Sequence, residues 1–250
     1  WFSAVFDIIA LIVVLRINAK SDFSAARLVW TIVILALPVF GICLYLMFGR
    51  TGLTKRTRAI YEKVQKRFAC QLSQDENVLG ALKENNIYIH NQEYYIQSSS
   101  GYPVYQNTDV SYYPQAEAAL EALLEDLGNA REFIFMEYFI VEEGEMFNTV
   151  LTILKQKVKE GVEVRFMYDD MGSLTMLPFR YYQKLESYGI KCIAFNHFVP
   201  FISAVMNTRD HRKITVIDGN VGFSGGFNLA DEYINAKVKY GHWKDTGVMI

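Results

Sequence analysis

The apolar positions of this chain fall into two regimes. From Leu28 to Phe48 a run of 21 residues, LVWTIVILALPVFGICLYLMF, carries no charge. As one helix it would rise about 31 Å, close to the hydrocarbon thickness of a bilayer. Trp30 and Tyr45 near its ends suit interfacial positions, and Pro38 and Gly41 are tolerated in membrane helices. Trp1–Leu15 is also apolar but shorter, and Asp7 interrupts it. It leads into Arg16-Ile17-Asn18 and a second apolar run, not into a small-residue cleavage site. The pattern therefore predicts a two-helix transmembrane hairpin, about 1–16 and 28–48, within residues 1–49.

The second regime is periodic. Residues 70–112 are polar, with a break at Ser98-Ser99-Ser100-Gly101, and read as a short helix and a linker. From Pro114 onward helices and strands alternate. Ala116, Leu120, Leu123, Leu124 and Leu127 mark one helix face, ended by Gly128. Phe133–Val141 is a nearly continuous apolar run with Glu137 inside it, as in a buried strand. Met146, Val150, Ile153 and Leu154 define the next helix, stopped by Gly161. Val162–Tyr168 is a strand ending in Asp169-Asp170. Pro178–Tyr188 is a helix with Pro in its first turn, and Ile190–Phe195 a strand. This alternation predicts an α/β layered domain over 113–250, a mixed and largely parallel sheet flanked by helices.

Charge adds an orientation. Residues 50–67 hold Arg50, Lys55, Arg56, Arg58, Lys63, Lys66 and Arg67 against Glu62 alone. That excess places residues 50 onward on the cytoplasmic side, in a basic juxtamembrane segment and linker (50–112) suited to anionic headgroups. Arg16, Lys20 and Arg27 lie between the two apolar runs. The overall charge of −2 says nothing about a nucleic-acid partner, whereas the membrane hairpin and the lack of a basic, aromatic-interleaved stripe near residues 209–228 argue against one. Cys43, Cys70 and Cys192 are too scattered for a disulfide framework or a metal site. The chain starts at Trp1 and stops at Ile250 inside a strand-like run, the pattern of a fragment.

The chemistry is concentrated in RDHRKITVIDGNVGFSGGFN, residues 209–228. His211 and Lys213, two apart beside a run of β-formers, would point the same way. Asp218-Gly219 signals a tight turn, and Val221–Ser224 the returning strand. Gly225-Gly226 would let backbone amides approach a ligand, and Asn228 adds an amide donor. Imidazole, ammonium and amide together suit phosphate: the histidine attacks phosphorus or protonates a leaving alcohol, and Lys213 and Asn228 hold the non-bridging oxygens. H-x-K is not a metal-ligand spacing, and this chemistry calls for no metal or other cofactor.

The spacing His211-x-Lys213-x4-Asp218-x6-Gly225-Gly226-x-Asn228 resembles the HxKx4D signature of the phospholipase D superfamily at every fixed position. MEYFIVEEGE, GVEVRFMYDDMGS and GFNLADEYI, with the apolar N-terminus, are similar to the first half of bacterial cardiolipin synthases. That resemblance implies a multi-pass cell-membrane phosphatidyltransferase acting on phosphatidylglycerol. It also implies a catalytic His211, Lys213 and Asp218, and a second HxKx4D half supplied by missing chain or a second copy. With one such motif, the fragment alone is expected to be inactive. Strand parity puts Asp218 out of line with His211 and Lys213, which favours a structural role. In superfamily relatives an acidic residue at a strand start orients the histidine, and Asp245 is the candidate here. Glu137 and Asp169 lie near strand ends and either line the site or serve structure. His197 and His242 lack partners for catalysis, although His242-Trp243 could form a rim. Phe195, Phe198, Phe201 and Met206 are either an acyl-chain surface or plain core. A phospholipase D-type hydrolase or nuclease, and a non-catalytic membrane scaffold, are the alternatives.

Overall fold

A computed structural model of the chain describes residues 2–19, 24–49, 55–68, 72–197, 209–239 and 241–250. The chain divides into two compact units, one over residues 1–62 and one over 63–198 and 208–250.

The first unit is helical: α1 (Phe2–Asn18), α2 (Ser24–Ala36) and α3 (Pro38–Phe48). The single span expected over Leu28–Phe48 is instead two helices. Leu37, with φ −138° and ψ 76°, leaves the helical region, and Pro38 opens α3. The two helices fold back on each other. A side chain on Gly41 would meet the Val33 carbonyl oxygen at 2.6 Å and the Ile34 Cα at 2.7 Å. Two turns from the bend on each side, Trp30 and Tyr45 meet edge to face, with centroids 5.5 Å apart. Ala10, Val14 and Ile17 of α1 complete a small core with Ile34. No helix among the described residues is long and apolar enough to cross a membrane.

The chain continues through α4 (Lys55–Phe68), α5 (Glu76–Asn85) and α6 (Ile87–Ser100). The last two replace the expected single helix and linker. Asp75 and Asn86 cap them, their side chains accepting from the N–H groups of the first turn.

The layered domain then runs β1 (Ser111–Tyr113), α7 (Ala116–Asn129), β2 (Phe133–Tyr138), α8 (Glu145–Lys159), β3 (Glu163–Asp169), α9 (Tyr181–Ser187), β4 (Lys191–Phe195), β5 (Ile214–Ile217), β6 (Val221–Gly225) and β7 (Gly247–Met249), with a 3-10 turn at Asp231–Ile234. The sheet has 7 strands in the order β1-β7-β6-β5-β2-β3-β4. Only the β2-β3 and β3-β4 pairings are parallel. The expected largely parallel sheet is thus mostly antiparallel. Crossover helices α8 and α9 permit the parallel pairs, whereas the short β5-β6 connection can only return antiparallel.

Strand alternation builds the core. Ile134, Met136, Tyr138, Val164, Phe166 and Tyr168 turn to one face and pack with Leu123, Leu127, Phe147 and Leu154 of the helices. Each such side chain contributes roughly 2 kcal/mol by leaving water. The opposite face, with Phe135, Met167, Ile193 and Val216, floors an open groove of about 830 Å³, and Glu137 stands among its lining residues.

Candidate active site: a His-Lys pair beside a carboxylate network

His211 and Lys213 lie just ahead of β5, and the chain before them is pinned from below. The Asp169 carboxylate at the end of β3 is fully buried. It accepts the N–H groups of Met171 and Gly172 (3.0 and 2.9 Å) and of Asp210 (2.9 Å), while Arg209 Nη1 approaches it at 3.3 Å. Asp169 therefore fixes where His211 begins.

The two motif residues part company in burial. Lys213 is buried, and its ammonium donates to the His211 carbonyl oxygen at 2.7 Å. His211 is exposed, its ring tilted against Phe139 with centroids 4.7 Å apart. The Lys213 ammonium lies 5.4 Å from the centre of the same ring, so Phe139 joins the pair. Burial draws the Lys213 pKa down, and the charges of Asp245 and Asp210 oppose this.

Asp218 sits at the other end of β5. With Gly219 it forms the turn, φ +53° and +74°, closed by Asn220 N–H donating to the Ile217 carbonyl at 3.1 Å. Its carboxylate accepts the N–H groups of Arg131, Glu132 and Phe133, each at 2.8 Å. Partial burial works to raise its pKa, but these donors and the Arg131 charge outweigh it and hold the carboxyl below the usual range. The expected place of Asp218 in a catalytic triad does not match this geometry: its carboxylate is committed to the start of β2.

The glycine pair also has a different neighbour from the one expected. A Cβ on Gly225 would run into the Thr246 carbonyl, and one on Gly226 into the Asp245 carboxylate. Gly226 N–H donates to the Thr246 carbonyl at 3.1 Å. The bare backbone there admits the chain leading into β7. Asp245, the candidate orienter, accepts from the Thr246 N–H at 2.9 Å and lies 3.5 Å from Trp243 Nε1. Among the described residues it makes no hydrogen bond to His211; its charge instead acts on Lys213.

Asn228 is buried. Its Oδ1 accepts the Ile140 N–H at 2.9 Å, and its Nδ2 donates to the Tyr233 hydroxyl at 2.7 Å. Among the described residues one amide hydrogen is left over. Its partner Tyr233 packs on Trp243, with centroids 5.0 Å apart. Neither Phe139, just after β2, nor Tyr233, inside the 3-10 turn, is marked by the motif.

On the flank of His211, Glu137, Asp210 and Arg212 form a network. Arg212 Nε reaches Glu137 at 2.6 Å and Asp210 at 3.0 Å. Burial, then the hydrogen bond and like charge of Asp210, push Glu137 up to about 7 against the pull of Arg212. Burial opposes the shift of Asp210, but its bonds with Glu137 and Arg212 hold it low. The two carboxyls thus divide one proton and one charge. Asp210 lies inside the motif segment, but nothing in the spacing reveals its pairing with Glu137. His197 stands apart, 3.5 Å from Asp170 and against Tyr182, and His242 is exposed. Phe195 ends β4; Phe198, Phe201 and Met206 lie outside the described residues.

Comparison with known proteins agrees with the motif. Residues 5–50 match the family described as Phospholipase_D-nuclease N-terminal, and residues 123–239 match the Cardiolipin synthase, PLD-like domain. A Streptococcus mutans protein described as uncharacterized is 43% identical over 235 residues, covering 94% of this chain and 50% of its own length. Cardiolipin synthases of Staphylococcus aureus and Oceanobacillus iheyensis are 34% and 33% identical, each over 88% of this chain and over 46% and 47% of their own lengths. The chain thus spans about half the length of the curated relatives it matches. On its motif, family matches and relatives, the chain belongs to the phospholipase D superfamily, and it is similar to bacterial cardiolipin synthases.

Proposed function

We propose that this chain is the first half of a membrane-associated phosphatidyltransferase that makes cardiolipin from two molecules of phosphatidylglycerol. The observation that carries the reading is the exposed His211 imidazole beside the buried Lys213 ammonium, in a chain whose relatives include cardiolipin synthases. A ring nitrogen of His211 bonds to the phosphorus of one lipid as the bond from phosphorus to glycerol oxygen breaks. The departing glycerol takes its proton from a second histidine, on the other HxKx4D half of the full-length protein. The terminal hydroxyl of the second phosphatidylglycerol then displaces His211, giving its proton to that second histidine. Lys213 and the free amide hydrogen of Asn228 stabilise the negative charge on the non-bridging oxygens. Phe139 shields one side of the imidazole and favours a lipid alcohol over water.

The test is a product assay. Full-length protein given phosphatidylglycerol in mixed micelles with a chelator is expected to release glycerol and cardiolipin in equal amounts. Phosphatidic acid as the main product at high lipid concentration would instead assign a hydrolase.

A further inference from the structure

We infer that α2 and α3 form a re-entrant hairpin, which enters the bilayer and returns to the side it came from. The inference rests on the membrane association proposed above and goes beyond it, because it reverses the location of the segment between α1 and α2.

The fold-back itself is well built. Gly41 lies against Val33 and Ile34, where a side chain would not fit, and Trp30 meets Tyr45 two turns from the bend. Ile34 is fully buried between the helices. The outer surface is the reverse of a soluble protein's: Val29, Ile32, Leu35, Leu37, Phe40 and Phe48 are each more than half exposed. Large exposed apolar patches of this kind mark an interaction surface. Lipid is the occupant, because the apolar residues surround the hairpin and include its tip, Leu35 to Phe40, with no charge from Leu28 to Phe48.

Length agrees. With 13 and 11 residues, α2 and α3 rise about 20 and 17 Å, roughly half to two thirds of a 30 Å hydrocarbon layer. At the bend two N–H groups keep a backbone acceptor. Leu37 N–H donates to the Val33 carbonyl at 3.1 Å, Pro38 has no N–H, and Gly41 N–H donates to the Leu37 carbonyl at 2.6 Å.

Charge gives an independent argument. Arg16, Lys20 and Arg27 precede the hairpin, opposed in that segment only by Asp22, and the seven basic residues of 50–67 come after it. A single span through 28–48 would put one basic group on the outer side of the membrane. A hairpin puts both on the cytoplasmic side, as basic flanks prefer. Arg27 also reaches back to the Asn18 carbonyl at 3.4 Å, tying the two helix ends together at that level.

Single cysteines at Ala19, Leu37 and Ala59, in the full-length protein with its native cysteines replaced by serine, test this with a membrane-impermeant maleimide. Ala19→Cys and Ala59→Cys are expected to be labelled in inverted vesicles and protected in intact spheroplasts, and Leu37→Cys to be unlabelled in both. Labelling of Ala19→Cys in spheroplasts, with Ala59→Cys labelled only in inverted vesicles, would establish a span and overturn the hairpin. Release of the protein by carbonate, with Leu37→Cys freely labelled, would overturn the membrane association and the hairpin together.

Discussion

A carboxylate that accepts three backbone N–H groups is occupied, whatever motif it belongs to. Asp218 joins the β5-β6 turn to the first residues of β2. Asp218→Asn replaces one acceptor oxygen with a donor facing donors, at a cost of about 1–3 kcal/mol of stability. Turnover per folded molecule should stay near wild type. A folded Asp218→Asn protein as inactive as His211→Ala would contradict the assignment. The pH sign comes from the lowered pKa: the contribution is present above about 3.8, the ordinary value, and is lost as pH falls through the folded value. Glu137 has the opposite sign. Its folded pKa of about 7 exceeds its ordinary 4.5, so the folded state holds an extra proton between them. Stability from that proton is complete below about 4.5 and lost as pH rises through 7. Glu137→Gln should therefore flatten the pH profile of thermal unfolding in this window. At pH 8 it should gain on the order of 1 kcal/mol, a figure reduced for solvent screening. A wild-type profile that is already flat there would exclude the shared proton.

At the scale of elements, periodicity carries the core helices and strands because burial imposes it: Leu123, Leu127, Val150 and Leu154 recur at helical spacing, and all are buried. Strand direction is not encoded that way. Strand patterns such as Val164–Tyr168, which holds Arg165, look alike in parallel and antiparallel sheets, and only the lengths of the connections separate them. The 28–48 run misleads for a related reason. Pro38 is compatible either with a membrane helix or with a break at Leu37, and the contact that accompanies the fold-back, Gly41 on Val33 and Ile34, has no local signature. The glycine pair after β6 obeys the same logic, since its need for glycine comes from β7. Gly226→Ala should cost about 1–3 kcal/mol, because the new methyl group must displace the Asp245 carboxylate. Thermal unfolding measures this, and an unchanged midpoint would mean that β7 can shift without loss. The HxKx4D spacing is legible because the motif residues are close in sequence. Only analogy places Asp245 beside His211, and its carboxylate turns instead to Thr246, with its charge felt at Lys213.

At the scale of the whole molecule, this chain offers one HxKx4D motif on one seven-stranded sheet and spans about half of its relatives' length. The proposed reaction uses a second proton-handling group, so its test is made on the full-length protein. The proposed transfer exchanges one phosphodiester for another of similar energy, so the reaction is expected to run in both directions. The most direct measurement incubates the full-length enzyme with cardiolipin and labelled glycerol. The account predicts labelled phosphatidylglycerol, and none from His211→Ala. Unlabelled phosphatidic acid, with no label entering phosphatidylglycerol, would contradict transfer through this site.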